Sequence, residues 1–97
     1  MSHWINPEIN LGIIKAGSPK RLVFIASETI PVIKAITPYC GCTATSYDPV
    51  KKELIITYSN AAIPVQVQGA QGTTKRIDIT YEDDSVEVLI IKATRIR

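Results

Sequence analysis

Cys40 and Cys42, one residue apart in the run Cys40-Gly41-Cys42-Thr43, are the residues of this chain best suited to chemistry. They are its only cysteines, and its single histidine stands far off at His3. Two thiolates alone suit a two-coordinate Cu(I) ion or a redox pair, because soft sulfur ligands select soft metals. Structural zinc asks for four ligands, and one subunit supplies too few thiols and imidazoles. A disulfide between neighbours spaced Cys-x-Cys would close a small strained ring, so reduced thiols are expected. The spacing also has a purely structural reading. Residues i and i+2 of a strand share a face, and free cysteine is among the most buried residue types. Core packing of both sulfurs is the expectation, with Gly41 permitting a bulge and Thr43 bonding local backbone. Copper or redox use of Cys40 and Cys42 is the alternative.

Other constellations offer less. Nucleophilic catalysis needs a base oriented beside the nucleophile, and His3, near a chain end, is the only imidazole. Glu82-Asp83-Asp84 groups carboxylates between two strand-like runs, where a hairpin tip would leave them solvated, without the spaced oxygen ligands of a calcium loop. No glycine-rich loop precedes a helix. The chain is therefore expected not to be an enzyme and to hold no cofactor or metal. Trp4, a large aromatic just before Pro7, either packs over an open end of the fold or anchors into a partner.

The elements that would carry these residues are strands. The 97 residues suffice for one domain, 1–97, with one core. The apolar fraction of 45% is ordinary, and its Ile and Val favour pleated surfaces. A net charge of +2, with the basic pairs scattered, argues against nucleic acid as a partner. No apolar stretch approaches the roughly 20 residues that cross a bilayer, and no secretory signal is visible, so a cytoplasmic origin without membrane contact is expected.

Period two dominates the pattern. Leu22 to Ile25, Ile30 to Thr37, Glu53 to Tyr58, Val65 to Gln68, Lys75 to Tyr81 and Val86 to Ala93 read as strands, with a short first strand near Ile9 to Leu11. In the run Ile30 to Thr37, Ile30, Val32 and Ile36 take strand positions with Lys34 outward, and Pro31 marks a strand start or an edge. Glu82 to Ser85 is a polar hairpin turn. No window carries a capped helical period. About seven strands at such intervals predict an all-β, antiparallel, immunoglobulin-like sandwich, with Phe24, Ile36, Ile56, Ile79 and Val88 in its core.

Several blocks resemble a known family. They are Ile9-Asn10-Leu11-Gly12-Ile13-Ile14 with Gly17, Leu22-Val23-Phe24-Ile25, and Ile30-Pro31-Val32-Ile33 followed by Pro38-Tyr39-Cys40-Gly41-Cys42-Thr43. Gly72 to Ile77 and Val86 to Ile91 complete them. Over nearly its whole length the chain resembles the bacterial Cys-Gly-Cys-Thr immunoglobulin-like domains, a family of unknown function related in fold to the ASH and major-sperm-protein sandwiches. The chain departs from that family at Val50-Lys51-Lys52-Glu53, where members carry a Pro-Gly turn. No export signal, common in members, is visible in it.

The functional expectation is a non-enzymatic structural and interaction module, a subunit of a larger assembly. Its most concrete form is a bacteriophage virion accessory that decorates or cements a capsid, a step taken by fold-level analogy. The partner is then protein, a capsid or similar assembly, with other copies of the chain beside it. Trp4, Val65, Gln66 and Gln68 are the expected partner-binding residues. Asn60 to Gly72 carries no charge, whereas exposed edge strands are usually protected by Lys or Glu. The alternatives are the thiol-based copper or redox protein and an exported envelope-binding domain.

Overall fold

A computed structural model describes residues 3–39, 43–63 and 69–97. Its seven strands are β1 (Glu8–Lys15), β2 (Lys20–Ile25), β3 (Ile33–Pro38), β4 (Thr43–Asp48), β5 (Glu53–Tyr58), β6 (Gln71–Tyr81) and β7 (Val86–Ile96). No helix occurs among the described residues. The strands form two sheets, ordered β1-β7-β6-β3 and β2-β5-β4, and the architecture is compatible with an immunoglobulin-like β-sandwich. Pairing is antiparallel except at one edge, where β1 runs parallel to β7.

Alternation builds the core, because every second side chain of a strand meets the opposite sheet. Leu22, Phe24 and Ala26 face inward from the β2 side, and Leu54, Ile56 and Tyr58 from β5. Ile77, Ile79 and Tyr81 of β6 meet them, with Leu89, Ile91 and Ala93 of β7. Phe24, Ile56 and Ile79 are fully buried, as the pattern predicts. Ile36 is half-buried at the margin, packed against the core.

Four details differ from the sequence reading. Val88 lies opposite Asp78 on the outer face of its sheet, and Leu89 and Ile91 take the core positions. Val88-Leu89-Ile90-Ile91 is apolar on both faces, so alternation alone does not select the inner one. Val32 is 64% exposed and precedes β3, whose first inward residue is Ile33. β1 is longer than the segment near Ile9 to Leu11, and its register breaks between Asn10 and Ile13, where Gly12 takes a left-handed φ of 71°. The Asn10 side chain accepts the Gly12 amide at 2.8 Å within that irregularity. Finally, β4 is a strand that the period-two pattern does not contain. Its sequence, Thr43 to Asp48, has no apolar alternation, yet it pairs residue for residue with β5 without a bulge. The expected strand Val65 to Gln68 lies outside the described residues.

Polar turn chemistry closes the hairpins. Asp48 Oδ1 accepts the amides of Val50 and Lys51 at 3.0 and 3.1 Å, an Asx-type turn between β4 and β5. Between β6 and β7, Asp83 accepts the Ser85 amide and hydroxyl, which holds its carboxyl below the usual carboxylate range. Lys52 and Asp84 take left-handed φ values of 56° and 67° at the ends of these two turns. The acidic residues Asp83 and Asp84 are thus occupied in building the turn and in the surface pair between Lys34 and Asp84.

Candidate functional site

The strand order places β3 at the edge of one sheet and β4 at the edge of the other. The few contacts between them put both edges on the same side of the sandwich. An edge strand keeps alternate backbone N–H and C=O groups unpaired, available to an added strand. Between these edges lies a groove of about 560 Å³. One wall is the continuous segment Ile30 to Ile36; the other is Tyr47, Pro49 and Lys52 from β4 and the turn after it. Ile30, Ile33, Ile36 and Tyr47 are partly buried against the core, so the groove is an unclosed seam of the hydrophobic interior. Burial pushes the Tyr47 phenol above its ordinary pKa, with nearby Asp48 adding to the effect.

The charged groups in the groove lining are Lys34 and Lys52. Lys34 pairs with Asp84 at 2.6 Å, an exposed contact of small energetic weight. Lys52 Nζ donates to the Glu28 carbonyl, which leaves its positive charge without a carboxylate in that bond.

The opposite side of the sandwich is closed by the chain itself. The segment before β1 lies along the β2 edge: Ile5 N donates to Ile25 O at 2.8 Å, and Ser27 N to His3 O at 2.8 Å. Trp4 and Ala26 form a bridge. The Asn6 side chain donates to Val23 O at 3.0 Å and accepts from Ile25 N at 2.7 Å, a side-chain imitation of strand pairing. After Pro7 the chain changes sheet and continues as β1 beside β7.

Of the two places open to Trp4, packing inside the fold or anchoring into a partner, the structure shows the first. It is 3% exposed, its ring sits edge-on to Tyr47 at 6.3 Å, and its Nε1 donates to Tyr81 Oη at 3.0 Å. An indole whose apolar body and N–H are both accommodated inside the fold has no surface left to anchor elsewhere. Tyr81 Oη in turn donates to Glu87 at 2.8 Å, and the His3 amide donates to the same carboxylate at 3.2 Å. His3, edge-on to the Tyr81 ring at 5.2 Å, is part of this clamp. Cys40, Cys42, Val65, Gln66 and Gln68 lie outside the described residues. Among the described residues no three His, Asp or Glu side chains gather as a metal site would require.

Burial, and then the hydrogen bond to Glu87, raise the Tyr81 pKa well above its ordinary value, against the lowering effect of Trp4. The sign follows directly. The folded chain keeps this phenol neutral where the unfolded chain ionises, so its contribution is complete below about pH 10 and declines above it. Each pH unit above that point is expected to cost about 1.4 kcal/mol of stability through this one group. Denaturant unfolding of the parent and of Tyr81→Phe between pH 9 and about 11.5 checks it. The variant should show the shallower decline, and equal slopes would remove Tyr81 as the source.

A second buried polar group escaped the sequence reading. Asn60 is fully buried, and its Nδ2 donates to Lys15 O at 2.9 Å and Ser18 O at 2.8 Å. Its Oδ1 accepts from Arg95 Nε at 3.0 Å, and its backbone carbonyl from Gly17 N at 2.9 Å. One side chain thereby ties the turn after β1 to the end of β7. The only sequence signal was the residue type, since Asn is among the few residues besides Gly that tolerate a positive φ, here 47°.

The fold defines a class, an all-β two-sheet sandwich with one seam sealed by its own N-terminal segment and the other open among the described residues. Compared with models of protein families and with curated proteins, the chain matches none.

Proposed function

We propose that this chain is a non-enzymatic docking module, a protein-binding subunit of a larger assembly. The observation that supports this most directly is the seam between β3 and β4, where apolar side chains and two strands at the sheet edges of the described residues meet in one groove. Edges of this kind either receive protection or receive a partner, and sheet edges are a recurrent place for peptide recognition. By analogy of fold, the concrete form of such an assembly is a bacteriophage virion that the chain decorates or cements.

Fractionation of the native source tests the proposal. The chain is expected to travel with a particle far heavier than its own 10.7 kDa. Under the virion form it should be recovered from purified particles in fixed ratio to the shell protein. Recovery only as a free monomer would defeat the docking reading. Recovery in a non-viral complex would retain docking and discard the virion.

A further inference from the structure

We infer that the β3 edge takes up an extended segment of a partner protein by strand addition, and that this segment carries an acidic residue beside Lys52. The inference rests on the docking reading above and specifies its mode and its ligand.

Three observations lead to it. First, the β3 side of the groove is lined by consecutive residues, Ile30 through Ile36. Ile33 to Ile36 belong to β3, and consecutive residues of a strand point to opposite faces, so a groove touching all four runs along the strand's backbone edge. A compact ligand would instead meet side chains converging from one face. Second, Pro31 and Pro38 stand at either end of the edge. Neither has an N–H to offer, so they bound a pairing stretch of about six residues, the usual length of a strand. Third, the charged groups in the lining are both lysines, and the Lys52 ammonium makes one bond to a neutral carbonyl. An ammonium has three donors, which leaves Lys52 able to take a carboxylate.

The molecule already displays this mode on its other side. Residues 3–6 lie along β2, contribute backbone bonds, and insert Trp4 between the sheets. A partner strand on β3 would reproduce that arrangement. Its inward side chains would cover Ile33, Ile36 and Tyr47, and its outward ones would meet solvent. Alternating apolar and polar residues are therefore required, with Asp or Glu at the Lys52 end.

Titration of the isotope-labelled full chain with synthetic capped octapeptides, read by amide chemical shifts, tests this. The probe peptide carries Ile, Val and Ile at alternate positions, Thr between them, and Glu at one end. One control replaces that Glu by Lys, and another methylates alternate backbone nitrogens. Saturable shifts are expected at Ile33 to Thr37, Tyr47 and Lys52. The Lys peptide should bind about threefold more weakly, and the methylated peptide at least about tenfold more weakly because its backbone donors are gone. In Lys52→Glu, checked for folding by circular dichroism, the preference should reverse to the Lys peptide. Equal binding of the methylated peptide would overturn strand addition, as would shifts centred on another edge or no saturable shift at millimolar peptide. An unchanged Glu preference in Lys52→Glu would overturn the acidic specificity. A chain that fails these tests yet sediments with its native assembly leaves docking intact and assigns it to a different surface.

Discussion

Phe24→Ala is expected to destabilise the domain by about 3–5 kcal/mol, through lost burial and the cavity left where the ring was. Phe24 is fully buried, opposite Leu54 on β5. For a chain of this size each kcal/mol corresponds to roughly 4–8 °C in melting temperature, so the variant should melt at least about 12 °C lower. Scanning calorimetry on parent and variant measures it. An unchanged melting temperature would place Phe24 outside the core and would contradict the β2–β5 register that positions it.

Asn60→Ala should have an effect of similar size for a different reason. The substitution strands the Lys15 and Ser18 carbonyls, and it takes from Arg95 its Nε acceptor. Buried groups left unpaired cost about 1–3 kcal/mol each, and alanine also tolerates the left-handed φ of 47° poorly. A total loss of about 3–4 kcal/mol is expected. Asn60→Gly separates the two causes, because glycine accepts the backbone angle but supplies no amide. If glycine restores full stability, the hydrogen-bonded hub carries nothing and only the backbone angle matters.

How far these features can be read from residues alone depends on whether their cause is local. The β6 pattern alternates cleanly, so its spacing reads as a strand with Ile79 in the core, and the residue types of Glu82 to Ser85 read as the turn. The spacing puts Val88 inside, whereas the structure puts it outside, because the run around it is apolar on both faces. β4 stayed hidden because Thr43, Thr45 and Tyr47 face inward without a hydrophobic alternation, and its strand state derives from pairing with β5. The burial of Trp4 depends on Tyr81, 77 positions away, and on the pairing of residues 3–6 with the β2 edge. The groove is less local still. It exists because two edges from different sheets fall on the same side, a consequence of strand order that no window of sequence contains.

That topology also gives the two seams different expected roles. The β2 side is fastened by a clamp of Trp4, Tyr81, Glu87 and His3, which makes it part of the stability of the domain. The β3–β4 side has apolar walls and two lysines. Substitutions in the clamp are therefore expected to act on folding, and Lys52→Glu on association.

Amide hydrogen exchange, compared between the isolated chain and the chain within its native assembly, tests docking through β3 most directly. Exchange reports backbone groups passing from solvent into hydrogen bonds. Assembly is expected to slow exchange along Ile33–Thr37 and at Tyr47, and to leave residues 3–6 and the β2 edge as they were. Unchanged exchange along β3, with new protection on the β1 edge or an outer sheet face, would contradict it.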